Sequence, residues 1–78
     1  MTNVYISVVF YRRATDSRIA ALEQTLCFRD RIDEYIEFYR HSLQRQFPGW
    51  FVSVERLTRD RYDEMLLAES VKRLGAML

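Results

Sequence analysis

The stretch that most constrains the fold is NVYISVVFYR, residues 3–12, because its apolar residues alternate along its whole length. One side of an extended chain would carry only apolar residues: Val4, Ile6, Val8 and Phe10. The other side would be mixed: Tyr5, Ser7, Val9 and Tyr11. Alternation with β-branched and aromatic residues is typical of a strand. We therefore predict a strand with one core side and one side that is partly covered.

The composition limits the class of protein. Seventy-eight residues with 49% hydrophobic residues, two glycines and one proline favour a single globular domain over 1–78. One cysteine, Cys27, excludes an intramolecular disulfide and favours the cytoplasm. No apolar run reaches the roughly 18–20 residues of a membrane span, and the N-terminal stretch lacks the basic lead of a signal peptide. We expect no membrane association.

Two further segments have a clear pattern. Residues 50–57 alternate as a strand does. Pro48 and Gly49, just before them, end the preceding secondary-structure element. Residues 31–46 have the helical spacing of an apolar stripe. That stripe contains Ile32, Tyr35, Ile36, Tyr39, Leu43 and, just beyond, Phe47.

Residues 17–28 are ambiguous between helix and strand. RIAALEQTL has helical composition, whereas LEQTLCF alternates with Leu22, Gln24 and Leu26 on one side. A three-stranded sheet is more stable than an isolated pair. We therefore predict a small α+β fold of order ββαβα, with strands at 3–12, 21–29 and 50–57 and helices at 31–46 and 61–74. The alternative is βααβα with a two-stranded sheet. The first two strands would form a hairpin, and the second and third could form a parallel crossover.

A charged phrase of the form RDR-x-DE occurs twice, at residues 29–34 and 59–64. Each copy lies where a predicted strand passes into a predicted helix. Asp30 and Asp60 would be N-caps, and the following acids would complement the positive end of the helix dipole. The arginines have two interpretations, either pairing with nearby carboxylates or forming a recognition surface.

One aromatic residue lies outside the stripe of the first helix. Phe38 is about 60° from it by helical geometry, and it lies between Glu34 and Arg45 on the helix surface. It is either at the edge of the core or exposed as an interface residue. Together with the arginines of the repeat it defines a candidate protein-binding set: Arg29, Arg31, Phe38, Arg45, Arg59 and Arg61.

The last helix has two apolar sides. One contains Leu67, Val71, Leu74 and Leu78, and the nearly opposite one contains Tyr62, Met65, Leu66 and Met77. Since a helix that is apolar on two sides is buried on two sides, one side should need a partner. We predict a homodimer with Tyr62, Met65, Leu66 and Met77 in the interface.

Motifs for catalysis are absent from the sequence. There is no glycine-rich phosphate loop, no C-x-x-C, no H-E-x-x-H and no G-x-S-x-G, and the only histidine is His41. We expect a non-enzymatic protein without metal or other cofactor, acting as an inhibitor or adaptor that occludes another protein. Phage and mobile-element inhibitors of host defence, such as anti-CRISPR proteins, have this size. The alternative is a nucleic-acid-binding protein that uses Arg12, Arg13, Arg18, Arg29 and Arg31 with Tyr5 and Tyr11.

Overall fold

The computed structural model describes residues 1–77, and every side chain among them except those of residues 73, 76 and 77. Its elements in chain order are β1 (Thr2–Arg12), β2 (Ser17–Cys27), a 3-10 turn (Arg29–Arg31), α1 (Ile32–Gln46), β3 (Phe51–Leu57) and α2 (Arg59–Met77). This is the predicted ββαβα order of a small α+β fold. The strand at Ser17–Cys27 decides against βααβα.

β1 is the central strand of the sheet, and both of its neighbours run antiparallel to it. Residues Thr2 to Arg12 pair with β2, and residues Tyr5 to Tyr11 pair with β3. The predicted parallel pairing of β2 with β3 is therefore wrong, because β1 separates them. β1 has the most apolar and β-branched sequence of the three strands. Because it has a neighbouring strand on each side, it is the strand best shielded from water.

β2 begins four residues before the predicted start at 21 and ends two residues before the predicted end at 29. The hairpin turn at residues 13–16 is short, so every residue of β1 pairs with a residue of β2. Asp16 has a φ of 51°, in the left-handed region that aspartate tolerates in turns. Pairing with β1 thus overrides the helical composition of residues 18–21.

The core lies between α1 and the even-numbered side of β1. Its buried residues are Val4, Ile6, Val8, Ile32 and Val52, with Phe10, Cys27, Ile36, Tyr39, Leu43 and Val54 packed against them. Four residues of the predicted α1 stripe, Ile32, Ile36, Tyr39 and Leu43, are in or against the core. Tyr35 stacks on Tyr39 at its edge, and the ring of Phe47 lies 5.0 Å from that of Phe10. α1 therefore covers one side of the sheet only.

The starts of the two helices differ from the prediction. Asp30 lies inside the 3-10 turn, and the residue before α1 is Arg31, whose side chain makes no cap hydrogen bond. For α2 the cap is Thr58, whose hydroxyl accepts the Arg61 N–H at 3.2 Å. The predicted caps Asp30 and Asp60 are therefore wrong. The first copy of the phrase follows Phe28, which has no side-chain acceptor, whereas the second follows Thr58.

The other side of the sheet, which we call the open face, consists of Tyr5, Ser7, Val9 and Tyr11 with their neighbours Leu22, Leu26, Phe51 and Ser53. α2 meets this side at its first turn, where the ring of Tyr62 lies 4.9 Å from that of Tyr5. The Cα atoms span 44 × 32 × 14 Å, and the radius of gyration is 14.2 Å, against about 11–12 Å for a compact chain of this length. The shortest dimension holds the sheet and one helix layer, so α2 extends outward instead of forming a third layer.

Candidate protein-binding surface

Two exposed phenylalanines lie near each other at the outward side of α1. Phe38, on α1, is 74% exposed, and Phe28, which follows β2, is 58% exposed. They line the same shallow groove, together with Arg31 and Tyr35. We call the surface formed by Phe28, Arg31, Phe38 and Arg45 the α1 outer surface. Two interpretations of Phe38 were possible from the sequence. In the structure its side chain lies on the surface and not at the edge of the core.

A second groove lies on the C-terminal side of Phe38. Its lining residues are Phe38, His41, Ser42, Arg45 and Gln46, and its volume is about 550 Å³. Phe38 therefore forms a ridge between two depressions, with Arg31 lining one and Arg45 the other. An exposed aromatic side chain flanked by arginines has the composition of an interface hot spot.

The arginines of the α1 outer surface differ from Arg40 in their charge partners. The Arg40 guanidinium donates to Glu37 at 2.6 Å, and this hydrogen bond lowers the pKa of the Glu37 carboxyl. Arg31 and Arg45 have no carboxylate of the described residues within 4.0 Å. Arg31 shares its groove with Glu34 without forming an ion pair with it, and no carboxylate of the described residues lines the groove of Arg45.

Two polar contacts hold α1 on the sheet. The hydroxyl of Tyr39 donates to both carboxylate oxygens of Glu23 on β2, at 2.8 and 2.9 Å. Two causes raise the pKa of Tyr39 to about 12: the larger is burial, and the second is the Glu23 carboxylate. The phenol therefore keeps its proton, and remains a donor to Glu23, further into the alkaline range than an ordinary tyrosine.

The second contact joins the C-terminal half of α1 to the outer edge of β3. The side-chain amide of Gln44 donates to the Trp50 carbonyl at 2.6 Å and accepts the Val52 N–H at 3.2 Å. One glutamine thus takes the place of a neighbouring strand at this edge. These contacts make the α1 outer surface a fixed platform.

The remaining arginines of the predicted protein-binding set lie elsewhere. Arg29, Arg59 and Arg61 line neither groove beside Phe38. Arg59 lies 4.0 Å from Asp63, and Arg61 lies 3.3 Å from Glu64. The arginines of the second copy of the phrase therefore pair with carboxylates of the same copy, which is one of the two interpretations of these arginines.

The residues predicted for the dimer interface occupy several positions on α2. Tyr62 contacts Tyr5 of its own chain, Met65 is half-buried and Leu66 is exposed. The prediction for the side chain of Met77 lies outside the described part of the structure. On the opposite side, Leu67, Val71 and Leu74, which we call the outer stripe, are between 59 and 66% exposed.

A cluster of aromatic residues and arginines lies at the hairpin end of the sheet. Tyr11 stacks on Phe51 with ring centroids 5.2 Å apart, the Arg13 guanidinium lies 5.1 Å from the Phe51 centroid, and Arg12 lies 4.4 Å from the centroid of Trp50. The sequence interpretation missed Trp50 and Phe51, because only the register of β3 on β1 brings them here. It also grouped Arg29 and Arg31 with these residues, but they follow β2 at the other end of the sheet.

Among the described residues, neither a metal site nor a membrane-spanning helix indicates a function, and similarity to known proteins does not indicate one either. Among residues 1–77, no three histidine, cysteine or acidic side chains are grouped as a metal site would require. Neither helix of the described chain is long and apolar enough to cross a membrane. No family model, curated protein or solved structure matches this chain.

Proposed function

We propose that this chain is a non-enzymatic protein-binding module of the cytoplasm that acts as an inhibitor or adaptor by occluding a partner protein. The observation that supports this proposal is Phe38, which is 74% exposed between two grooves lined by Arg31 and Arg45. Such a ridge suits a partner with an apolar pocket edged by carboxylates. Inhibitors of host defence carried by phages and mobile elements, such as anti-CRISPR proteins, would work in this way.

Phe38→Ala is expected to weaken capture of the partner. The chain, tagged and immobilised, is exposed to lysate of the cells that encode it, and the retained proteins are quantified by mass spectrometry. Loss of a hot-spot phenylalanine costs about 2 kcal/mol or more, which corresponds to about thirtyfold in affinity. Because Phe38 is exposed, the variant should unfold at the same urea concentration as the wild-type protein.

Ile19→Ala is the matched control, because Ile19 is another exposed large apolar residue and lies outside the grooves beside Phe38 and outside the one at the hairpin. A protein retained by the wild-type chain and by Ile19→Ala but depleted with Phe38→Ala would support the proposal. Equal retention by all three chains, or no specific retention by the wild-type chain, would contradict it.

We propose homodimerisation through α2 as part of the same function. The support is the amount of exposed apolar surface on a helix that meets its own sheet only near its start: Leu66, Leu67, Val71 and Leu74 are all exposed. A surface of this kind on a small protein is typical of an interaction site.

Nucleic-acid binding is the second candidate function, and the hairpin end of the sheet favours it. Tyr11 and Phe51 form an aromatic stack, and Arg12, Arg13 and Arg18 line a groove of about 490 Å³ beside it. Stacking platforms bordered by arginines are the means by which proteins hold single-stranded nucleic acid. Asp16 and Glu55 line the same groove and oppose phosphate binding, so we rank this function second.

Arg13→Ala is expected to weaken binding of a labelled single-stranded oligonucleotide, if this second function is the correct one. Fluorescence anisotropy over a salt series should show affinity falling steeply with salt, with a shallower slope in the variant, because each lost phosphate contact lowers the slope by about one unit. Arg29→Ala, at the far end of the sheet, is the control and should match the wild-type protein. The absence of binding at low salt would exclude the function.

A further inference from the structure

We propose that the groove at the hairpin end of the open face binds a free guanine nucleotide with a single phosphate group, such as guanosine 5′-monophosphate. This inference goes beyond the protein-binding surface around Phe38. It also differs from nucleic-acid binding, because the ligand is one nucleotide and not a strand. The groove has a volume of about 490 Å³, which is within the roughly 300–1,000 Å³ of small-ligand sites.

The arginines of this groove have charges that the described chain does not pair. Arg12, Arg13 and Arg18 line its hairpin end, and none of them has a carboxylate of the described residues within 4.0 Å. The Arg12 guanidinium lies 4.4 Å from the centroid of Trp50, and that of Arg13 lies 5.1 Å from the centroid of Phe51. A cation–π contact holds a guanidinium in place without neutralising it. These side chains are therefore positioned to receive an anion.

The net charge at the hairpin end matches a phosphate monoester. Among the described residues that line this end, Asp16 is the carboxylate that opposes the three arginines, so the charge is three less one, or +2. A phosphate monoester has a charge of about −1.5 to −2 at pH 7, whereas each phosphodiester of a strand has one negative charge. The hairpin end therefore favours a terminal phosphate group over the backbone of a nucleic acid.

Glu55 lies at the other end of the groove. It pairs with Ser7 of β1, whereas Arg18 pairs with Tyr11, and these two rows of the sheet are about 13 Å apart along the strands. A nucleic-acid strand lying along the groove would bring a second phosphate towards this carboxylate, and like charges that meet in this way repel each other. A single nucleotide would place its uncharged base there. The position of Glu55 thus favours a free nucleotide over a strand.

The floor of the groove has room for a base. Between Glu55 and the ring of Tyr11, the paired residues Val9 and Ser53 line the groove with small side chains. Guanine has two neighbouring donors, N1–H and the N2 amino group, which match the two oxygens of a carboxylate. Adenine and cytosine each present a single amino group as donor. The carboxylate of Glu55 therefore selects guanine.

Isothermal titration calorimetry of the full chain with guanosine 5′-monophosphate tests the inference. Saturable binding of one nucleotide per chain is expected. Adenosine 5′-monophosphate should bind at least about fivefold more weakly, because it cannot form the bidentate pair with Glu55. Guanosine, which lacks the phosphate, should bind at least about tenfold more weakly, because it makes no charge-assisted hydrogen bonds to the arginines.

Glu55→Gln tests the selection of the base. The amide has one acceptor oxygen where the carboxylate has two, so the affinity for the guanine nucleotide should fall to that for the adenine nucleotide. Glu64→Gln is the matched control, because Glu64 is an exposed glutamate of α2 that does not line the groove. This variant should keep the preference for guanine.

Arg18→Ala tests the position of the phosphate. It should weaken binding of guanosine 5′-monophosphate at least about fivefold and leave the affinity for guanosine unchanged, because only the nucleotide has a phosphate to lose a partner. Arg29→Ala, at the far end of the sheet, is the control and should match the wild-type protein. Both arginines are exposed, so both variants should unfold at the same urea concentration as the wild-type chain.

The outcomes separate this inference from the other proposals. Sedimentation velocity of the same samples tests the homodimer, and a monomer at near-millimolar concentration would contradict the homodimer alone. A guanine preference that Glu55→Gln removes and Glu64→Gln keeps would support the inference. Binding of a single-stranded oligonucleotide without binding of the free nucleotide would overturn it and support the nucleic-acid function. Equal affinity for the guanine and adenine nucleotides, or no binding at millimolar nucleotide, would also overturn it.

Discussion

Ile6→Ala is expected to lower the free energy of unfolding by about 2–5 kcal/mol. Ile6 lies at the middle of β1 and has 0% exposure, and among the described residues it shares the core with four other buried apolar side chains. Truncation removes its transfer free energy and leaves a cavity that the sheet and α1 cannot close without moving together. Urea denaturation followed by circular dichroism measures the change.

Ile19→Ala is the matched control for this prediction. Ile19 is on β2 on the same side of the sheet, but it is 56% exposed beside the hairpin. We expect it to cost about 1 kcal/mol or less, since little apolar surface leaves a buried site. Similar losses at both positions would mean that the core does not lie between β1 and α1.

Gln44→Ala is expected to lower the free energy of unfolding by about 1–3 kcal/mol. The substitution removes the donor to the Trp50 carbonyl and the acceptor for the Val52 N–H, both at the edge of β3. It also exposes that edge to pairing with other chains. We therefore expect a lower midpoint in urea together with faster, concentration-dependent aggregation, measured by light scattering.

Gln46→Ala tests whether the position of the amide matters. Gln46 is on the same helix, is exposed, and makes only a 3.5 Å contact with Ser42. It should change the free energy of unfolding by less than about 0.5 kcal/mol. If Gln44→Ala and Gln46→Ala behaved alike, the proposed role of Gln44 as a substitute strand would be wrong.

The repeated charged phrase shows which features of a helix start can be predicted from neighbouring residues and which cannot. Asp33 and Glu34 lie in the first turn of α1, as predicted, because the charges near a helix start are set by neighbouring residues. In α2 the acid in the first turn is Asp60. The caps were predicted wrongly. The residue that precedes the phrase decides them, and Thr58 has a hydroxyl where Phe28 has none.

Sequence alone reduced the order of the elements to two alternatives, ββαβα and βααβα, and determined much of the sidedness of the strands and helices. Alternation placed Val4, Ile6 and Val8 on one side of β1, and helical spacing put Phe38 outside the stripe of α1. These are consequences of the fixed periods of strand and helix, which act over a few residues and need no knowledge of what lies across the sheet. The candidate protein-binding surface around Phe38 could be found in this way.

Tertiary structure alone decided what meets across the sheet. The position of β1 between β2 and β3, the stack of Tyr11 on Phe51 and the two hydrogen bonds of Gln44 all depend on register between distant segments. The side of α2 that faces solvent was equally undecided, because both of its sides are apolar in sequence. Only the contact of Tyr62 with Tyr5 selects one, and it leaves Leu67, Val71 and Leu74 exposed.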